Sequence, residues 1–410
     1  MPDTPPDRHG PLTLFLIGFL TFALLYTAQP LLPAFAADFG LHAADSALTM
    51  SVSTATLALT IFAFTMRPLR LDRRWLMGLA LLAAVGFNAL AALSASWAQL
   101  LMCRALLGLV LGAVPATAMA YVGDAVPRER LATTMGLYVA GTATGGMTGR
   151  IGIGFLAEAM GWRAGLLGLS ALGLAVLGLL AWSLSGRPAD AGAPRARAAG
   201  SAWPALLHPG RLPRLFLCGG LASGIFVAAY NYAGFRLMAP PFRLAAGEAG
   251  LIFGGYLAGV ISSALSGGWV ARWGRVRVLQ GACAVTAAGV LLSLPDHLAL
   301  FVPGLVLMTG GFFVMHAVCS GWVGQEAGAL KAQASGLYLL VYYLGASVAG
   351  YAGGSLWVGG GWPLLCCGLL AGVAAFAALV RGLSRTPEGA LRPQHQPTAG
   401  TGTKIRLPPR

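Results

Sequence analysis

Twelve apolar runs, each close to the length that crosses a lipid bilayer, limit this chain more than any other feature. They are 12–35, 48–66, 74–94, 97–121, 132–156 and 163–184, then 213–236, 248–268, 276–294, 298–320, 333–357 and 362–381. A bilayer core about 30 Å thick needs about 20 residues per helix. The runs therefore predict an all-α membrane protein with twelve transmembrane helices. Composition agrees. Apolar residues make up 57% and charged residues 10% of the 410 residues, and the mean hydropathy is +0.73. A soluble domain carries about 25% charged residues, and a disordered chain has low hydrophobicity, so both classes are excluded.

The longest polar stretches are 185–212 and 383–410, rich in Pro, Gly, Ala and Arg. Neither can build a core. The expected organisation is a tail at 1–11, six helices over 12–184, a linker at 185–212, six helices over 213–382 and a disordered tail at 383–410. Ala34-Phe35-Ala36 mimics a signal-peptidase site. The apolar region before it is longer than a signal peptide's 7–15 residues, so it reads as a retained span.

The formal net charge is +14. In a soluble chain this would suggest nucleic acid. Here the charges fall between apolar runs and report orientation, so a lipid bilayer is the expected partner and nucleic acid is not. With the N-terminus in the cytoplasm, 22 of the 27 Lys and Arg lie in inner loops or tails, and only Arg163, Arg236 and Arg243 lie in outer loops. That asymmetry predicts both termini inside.

The halves also resemble each other. Gly136-Leu137-Tyr138 recurs as Gly336-Leu337-Tyr338, Gly145 meets Gly345, Gly154 meets Gly354, and Gly161-Trp162 meets Gly361-Trp362. With one residue of slip, Tyr121-Val122-Gly123 meets Trp322-Val323-Gly324. Two pseudo-symmetric six-helix bundles follow, with a site between them that opens alternately to each side.

At this point the chain resembles the major facilitator superfamily. The superfamily's loop signature is met after span eight by Gly267, Arg272, Gly274 and Arg275, with Ala271 in place of its Asp. The loop after span two keeps Arg67, Arg70, Arg73 and Arg74 but not the glycines. Arg104 followed by Gly108 and Gly112 resembles the span-four motif. Gly136, Gly145 and Gly149 keep the spacing of the efflux signature in span five, with Arg150 at its proline. The stretches around Tyr26–Pro30 and Asn231–Arg236 are most similar to the arabinose-efflux and multidrug-efflux-like branch. The resemblance implies a monomeric inner-membrane transporter. It would export a sugar or an amphipathic toxic compound, in exchange for protons. It also implies that the loop arginines, Arg73, Arg74, Arg272 and Arg275 with Gly267 and Gly274, act as a conformational clasp. Plain positive-inside topology is the other reading of those charges.

Candidate pathway residues follow from the cost of polar groups in lipid. A charge at mid-span costs about 2.5–3.5 kcal/mol or more. Arg104 and Arg150 each sit roughly 10 Å below the outer surface at 1.5 Å per residue. They either flank one outward vestibule or bond backbone carbonyls and headgroups. His316 falls mid-span and either carries a proton or bonds between helices. Tyr26 and Gln29 in span one, and Tyr230, Asn231 and Tyr232 in span seven, line the cavity or pack helices, and Tyr338, Tyr342 and Tyr343 of span eleven are further candidates. Gly141, Gly145, Gly149 and Gly152, with Gly108 and Gly112, read as close-packing faces.

No carboxylate falls mid-span, so proton exchange lacks its usual carrier. The alternative is an importer or exchanger of a small organic anion held by Arg104 and Arg150. The six cysteines lie in apolar runs without metal spacing. No metal, cofactor, catalytic residue or enzyme activity is expected; the expected partner is a small-molecule substrate.

Overall fold

The computed structural model describes residues 10–66, 72–125, 128–184 and 203–384. All regular elements among the described residues are helices. Ten helical stretches are long and apolar enough to cross a membrane, and two of these, Thr134–Leu180 and Gly328–Ser384, run to 47 and 57 residues. At 1.5 Å per residue, a straight helix of 47 residues would be about 70 Å long, more than twice a bilayer core. Both are hairpins. α6 (Arg128–Leu184) turns at Gly161, whose φ of 81° favours glycine. α13 (Lys331–Ser384) turns at Gly360 and Gly361. The limbs fold back on each other: a Cβ on Gly368 would lie 2.4 Å from Leu356. With each hairpin counted as two limbs, the ten stretches among the described residues become twelve helical limbs.

The first crossing is α1 (Gly10–Tyr26) followed by α2 (Ala28–Phe39). Then come α3 (Ala43–Met66), α4 (Arg73–Ala92), α5 (Trp97–Ala125) and the two limbs of α6. The second half has a short α7 (Trp203–Leu207) and then α8 (Arg211–Met238). α9 (Ala246–Gly250) and a 3-10 turn (Leu251–Gly255) lead into α10 (Tyr256–Trp273). α11 (Arg275–Leu292), α12 (Leu298–Glu326) and the limbs of α13 complete it. Crossings alternate, so α1 starts and α13 ends on one face, called here the terminal face; the other is the far face.

Several expected bounds shift. Helices run past the apolar cores, as α10 does to Trp273 and α12 to Glu326. The expected linker 185–212 contains α7, whose Leu206 is buried, and the first residues of α8. Arg67, Arg70 and the tail beyond Ser384 lie outside the described residues.

Glycines set how closely the helices approach. A Cβ on Gly145 would stand 2.0 Å from the Phe19 carbonyl oxygen of α1. Its repeat mate Gly345 stands in the same relation to Gly220 of α8, at 2.2 Å. Gly141 and Gly149 continue the α1 contact against Phe15 and Ala23, and Gly108 and Gly112 bring α5 onto Ser53 and Leu57 of α3. By contrast Gly152, next in that series, faces nothing within 4 Å. The repeat extends to the terminal face. Arg74 lies 5.6 Å over the Tyr121 ring, and 201 residues later Arg275 lies 5.2 Å over Trp322.

Across the halves, α3 lies along α13, where Ser51 Oγ donates to the Ser347 carbonyl at 2.8 Å and Thr54 meets Ser347 Oγ at 2.8 Å. At the far face the first limb of α6 meets α9, with Gly247 N donating to Glu158 Oε2 at 2.8 Å. The two halves are therefore closed on each other at the far face.

Candidate functional site

The break between α1 and α2 organises the site. Pro30 has no N–H for the Tyr26 carbonyl, and its ring crowds that carbonyl, so the helix opens at Thr27. Arg104 of α5 fills the opening. Its Nη2 donates to Leu25 O at 2.5 Å, its Nη1 to Thr27 Oγ1 at 3.2 Å and Leu24 O at 3.4 Å, and its Nε to Ser53 Oγ at 3.1 Å. It is 1% exposed. All these partners lie in the first half. In this structure Arg104 thus bonds backbone carbonyls and hydroxyls of the first half. A guanidinium has five donors in a fixed fork, which suits it to several carbonyls at an opened turn.

Arg150, on the first limb of α6, has a different setting. Its guanidinium carbon lies 3.7 Å over the Tyr26 ring, 4.8 Å from Tyr256 and 5.2 Å from Phe253. Nε donates to Gln29 Oε1 at 2.7 Å and Nη1 to Gly146 O at 2.6 Å. Gln29 Nε2 then donates to Asn231 Oδ1 of α8 at 2.9 Å. This short relay joins the two halves at the level of the first helix break. Arg150 is 2% exposed, and among the described residues no carboxylate pairs with it. Asn231 Nδ2 is buried without an acceptor. A buried cation and an orphan amide donor therefore converge between the halves, and both call for an acceptor.

Tyr26, Gln29, Arg150 and Asn231 come together as the sequence suggests. Tyr232 does not join them: its hydroxyl donates to Gly350 O at 2.8 Å, and its ring stacks near Phe235 and Trp357. Its role in this fold is to hold α8 against α13. The neighbour Tyr230 faces the cluster instead, with its ring centroid 5.3 Å from Phe253 and 5.7 Å from Tyr256. Phe253 and Tyr256 are absent from the sequence-derived candidates. The signal that marks them is the pair Gly254-Gly255 between two aromatics, at the 3-10 start of the eighth crossing.

His316 of α12 lies farther along the same interface. Its Nδ1 is 3.0 Å from Tyr338 OH, and its ring centroid is 4.7 Å from Tyr342. Ring contacts run from Arg150 through Tyr256, Phe226 and Phe312 to His316.

The loop residues stay at the terminal face. Asp72 caps α4 by accepting from Arg74 N at 2.9 Å, and Arg74 Nη2 reaches Tyr121 OH at 3.4 Å; Arg73 opens the same helix. Gly274, at φ 79°, makes the corner between α10 and α11. Arg275 donates to Gln325 Oε1, Arg272 lies 5.5 Å over Trp273, and Gly267 faces open space.

The family model of the Major Facilitator Superfamily matches residues 14–242. The chain belongs to the major facilitator superfamily. It is 37% identical over 392 residues to the inner membrane transport protein YnfM of Escherichia coli (strain K12), covering 92% of this chain and 89% of that one. It is 36% identical over 364 residues to the uncharacterized MFS-type transporter YybF of Bacillus subtilis (strain 168), covering 88% and 89%. Among solved structures, a bacterial homolog of the human lysosomal transporter Spinster, inward-facing and unoccupied, superposes with a TM-score of 0.74. That match has 17% identity and covers 93% of this chain and 95% of that one. The likeness is one of fold. As a member of this superfamily the protein is a multi-pass membrane transporter and not an enzyme.

Proposed function

We propose that the protein is a secondary transporter that works by alternating access, and that its substrate is a small molecule carrying an anionic group. The halves 12–184 and 213–382 rock about the Arg150 cluster, and the Gln29–Asn231 bond is made in the state closed at the far face. The observation that carries this reading is the buried guanidinium of Arg150, held between aromatic rings and, among the described residues, paired with no carboxylate. A sugar does not need such a charge, whereas an anion offsets its desolvation. The aromatic walls suit a substrate with an apolar or planar body.

Placement in a bacterial inner membrane draws on the inner membrane transport protein of Escherichia coli, and cytoplasmic termini on the arginine asymmetry. Export in exchange for protons is the second reading. It is favoured by the glycine spacing of span five and by His316, the one imidazole among the interface rings described above.

The test is a ligand panel on the purified protein in detergent, read by thermal stabilisation. Mono- and dicarboxylates, organic phosphates, neutral sugars and cationic dyes are compared in the wild type and Arg150→Gln. Stabilisation by one anionic class, lost in Arg150→Gln, is expected. Stabilisation by sugars or cations that survives Arg150→Gln refutes the substrate class.

A further inference from the structure

A second charged site lies far from the Arg150 cluster, where α8, α10, α11, α12 and α13 meet the terminal face. A cavity of about 690 Å³ opens there, lined by Arg211, Arg275, Arg277, Trp273, Trp322 and Leu383 among others. We propose that it binds the phosphodiester headgroup of an anionic phospholipid from the leaflet at that face.

Four observations converge on this assignment. The lining carries three arginines. Arg211 pairs with Glu326 at 3.7 Å, and among the described residues no carboxylate pairs with Arg275 or Arg277. α11 begins at Arg275 without a side-chain cap, so its first N–H groups point out of the helix toward the corner at Gly274. Trp322 is 5% exposed, lines the cavity and has an Nε1–H with no acceptor. Finally, the rim is apolar and reaches the membrane surface: Val270, Leu383 and the half-exposed Trp273 stand where acyl-glycerol and interfacial aromatics belong.

Donors without an acceptor, cations in excess and an apolar rim describe a lipid phosphate better than a free one. Past Ser384 the sequence is net basic, adding Arg385, Arg392, Lys404, Arg406 and Arg410 against Glu388. Position 271 is Ala, so the corner brings no carboxylate of its own, and the lipid phosphate takes that place between the start of α11 and the end of α12. The lipid would then stiffen this corner of the second half.

The experiment uses full-length protein in a neutral detergent, with phosphatidylglycerol and phosphatidylcholine offered together and bound lipid counted by native mass spectrometry. The wild type should retain one phosphatidylglycerol at an activation energy that strips phosphatidylcholine. At about a fivefold affinity change per surface arginine, Arg275→Gln with Arg277→Gln should weaken the preference by about 30-fold. Trp322→Phe, which keeps the ring and removes the N–H, should weaken it less, and Arg163→Gln at the far face should leave it unchanged. Should the double variant fail to fold, Arg277→Gln, an exposed position, and Trp322→Phe carry the test, and both should lose preference. Equal retention of the two lipids, or a preference indifferent to these changes, overturns the proposal. So does inorganic phosphate at millimolar concentration abolishing phosphatidylglycerol retention, since that marks a site for the free ion.

Discussion

Gly145→Ala is predicted to destabilise the protein although it adds a single methyl group to a helix. The added Cβ would lie 2.0 Å from Phe19 O and 2.6 Å from Phe19 C and Cα. All three atoms are backbone, so no rotamer change relieves the overlap. Restoring even a 3.0 Å contact requires the first limb of α6 and α1 to part by at least 1.0 Å (3.0 less 2.0). A gap of that size along a packed seam forfeits a quarter to a half of its dispersion energy, and overpacking of this kind costs about 1–3 kcal/mol. Alanine's higher helix propensity returns about 1 kcal/mol, so a net loss of up to about 2 kcal/mol is expected. The assay is thermal unfolding in detergent, with Gly152→Ala as control because its Cβ would meet nothing within 4 Å. Gly145→Ala should melt below the wild type and Gly152→Ala at or above it. Gly345→Ala should match Gly145→Ala, since its Cβ would lie 2.2 Å from Gly220 O. Equal melting of Gly145→Ala and Gly152→Ala would refute the packing argument.

Other expectations follow from the buried polar network. Arg104→Gln should lower the melting temperature, because it takes the guanidinium donor from the Leu25 carbonyl of the opened turn, at about 1–3 kcal/mol, while ligand affinity of the folded fraction stays at the wild-type level. Gln29→Ala and Asn231→Ala should be non-additive by about 0.5–3 kcal/mol in a double-mutant cycle on ligand binding, since the two amides bond each other across the halves. Additivity would place the relay outside the binding event. Arg236→Gln should change stability by less than about 1 kcal/mol, as its partner Asp296 is 67% exposed; a larger loss on thermal unfolding would contradict this.

Much of the fold is legible because lipid leaves the chain few choices. Spans must be apolar, near 20 residues and separated by basic loops, and all three marks survive in the sequence. The repeat is also legible, because closely packed backbones require glycine at Gly145 and Gly345 alike. What the sequence hides is direction around a helix. Tyr230 and Tyr232 are two residues apart, yet one faces the Arg150 cluster and the other grips α13. Arg104 and Arg150 look equivalent by depth and are separated only by partners that the break at Thr27 creates. Phe253 and Tyr256 become visible once the 3-10 turn before α10 rotates them toward the first half. The cluster is asymmetric in a way the repeat obscures. Position 350, the mate of Arg150, is glycine, so the charge comes from the first half alone.

The most direct test of the central claim is counterflow in proteoliposomes. Vesicles are preloaded with the anion that stabilises the protein best, and entry of the labelled anion is followed without an imposed pH gradient. The account predicts a transient overshoot in the wild type, a weakened one in Arg150→Lys and none in Arg150→Gln, with the wild type and both variants inserted to equal density. An undiminished overshoot in Arg150→Gln would contradict the account.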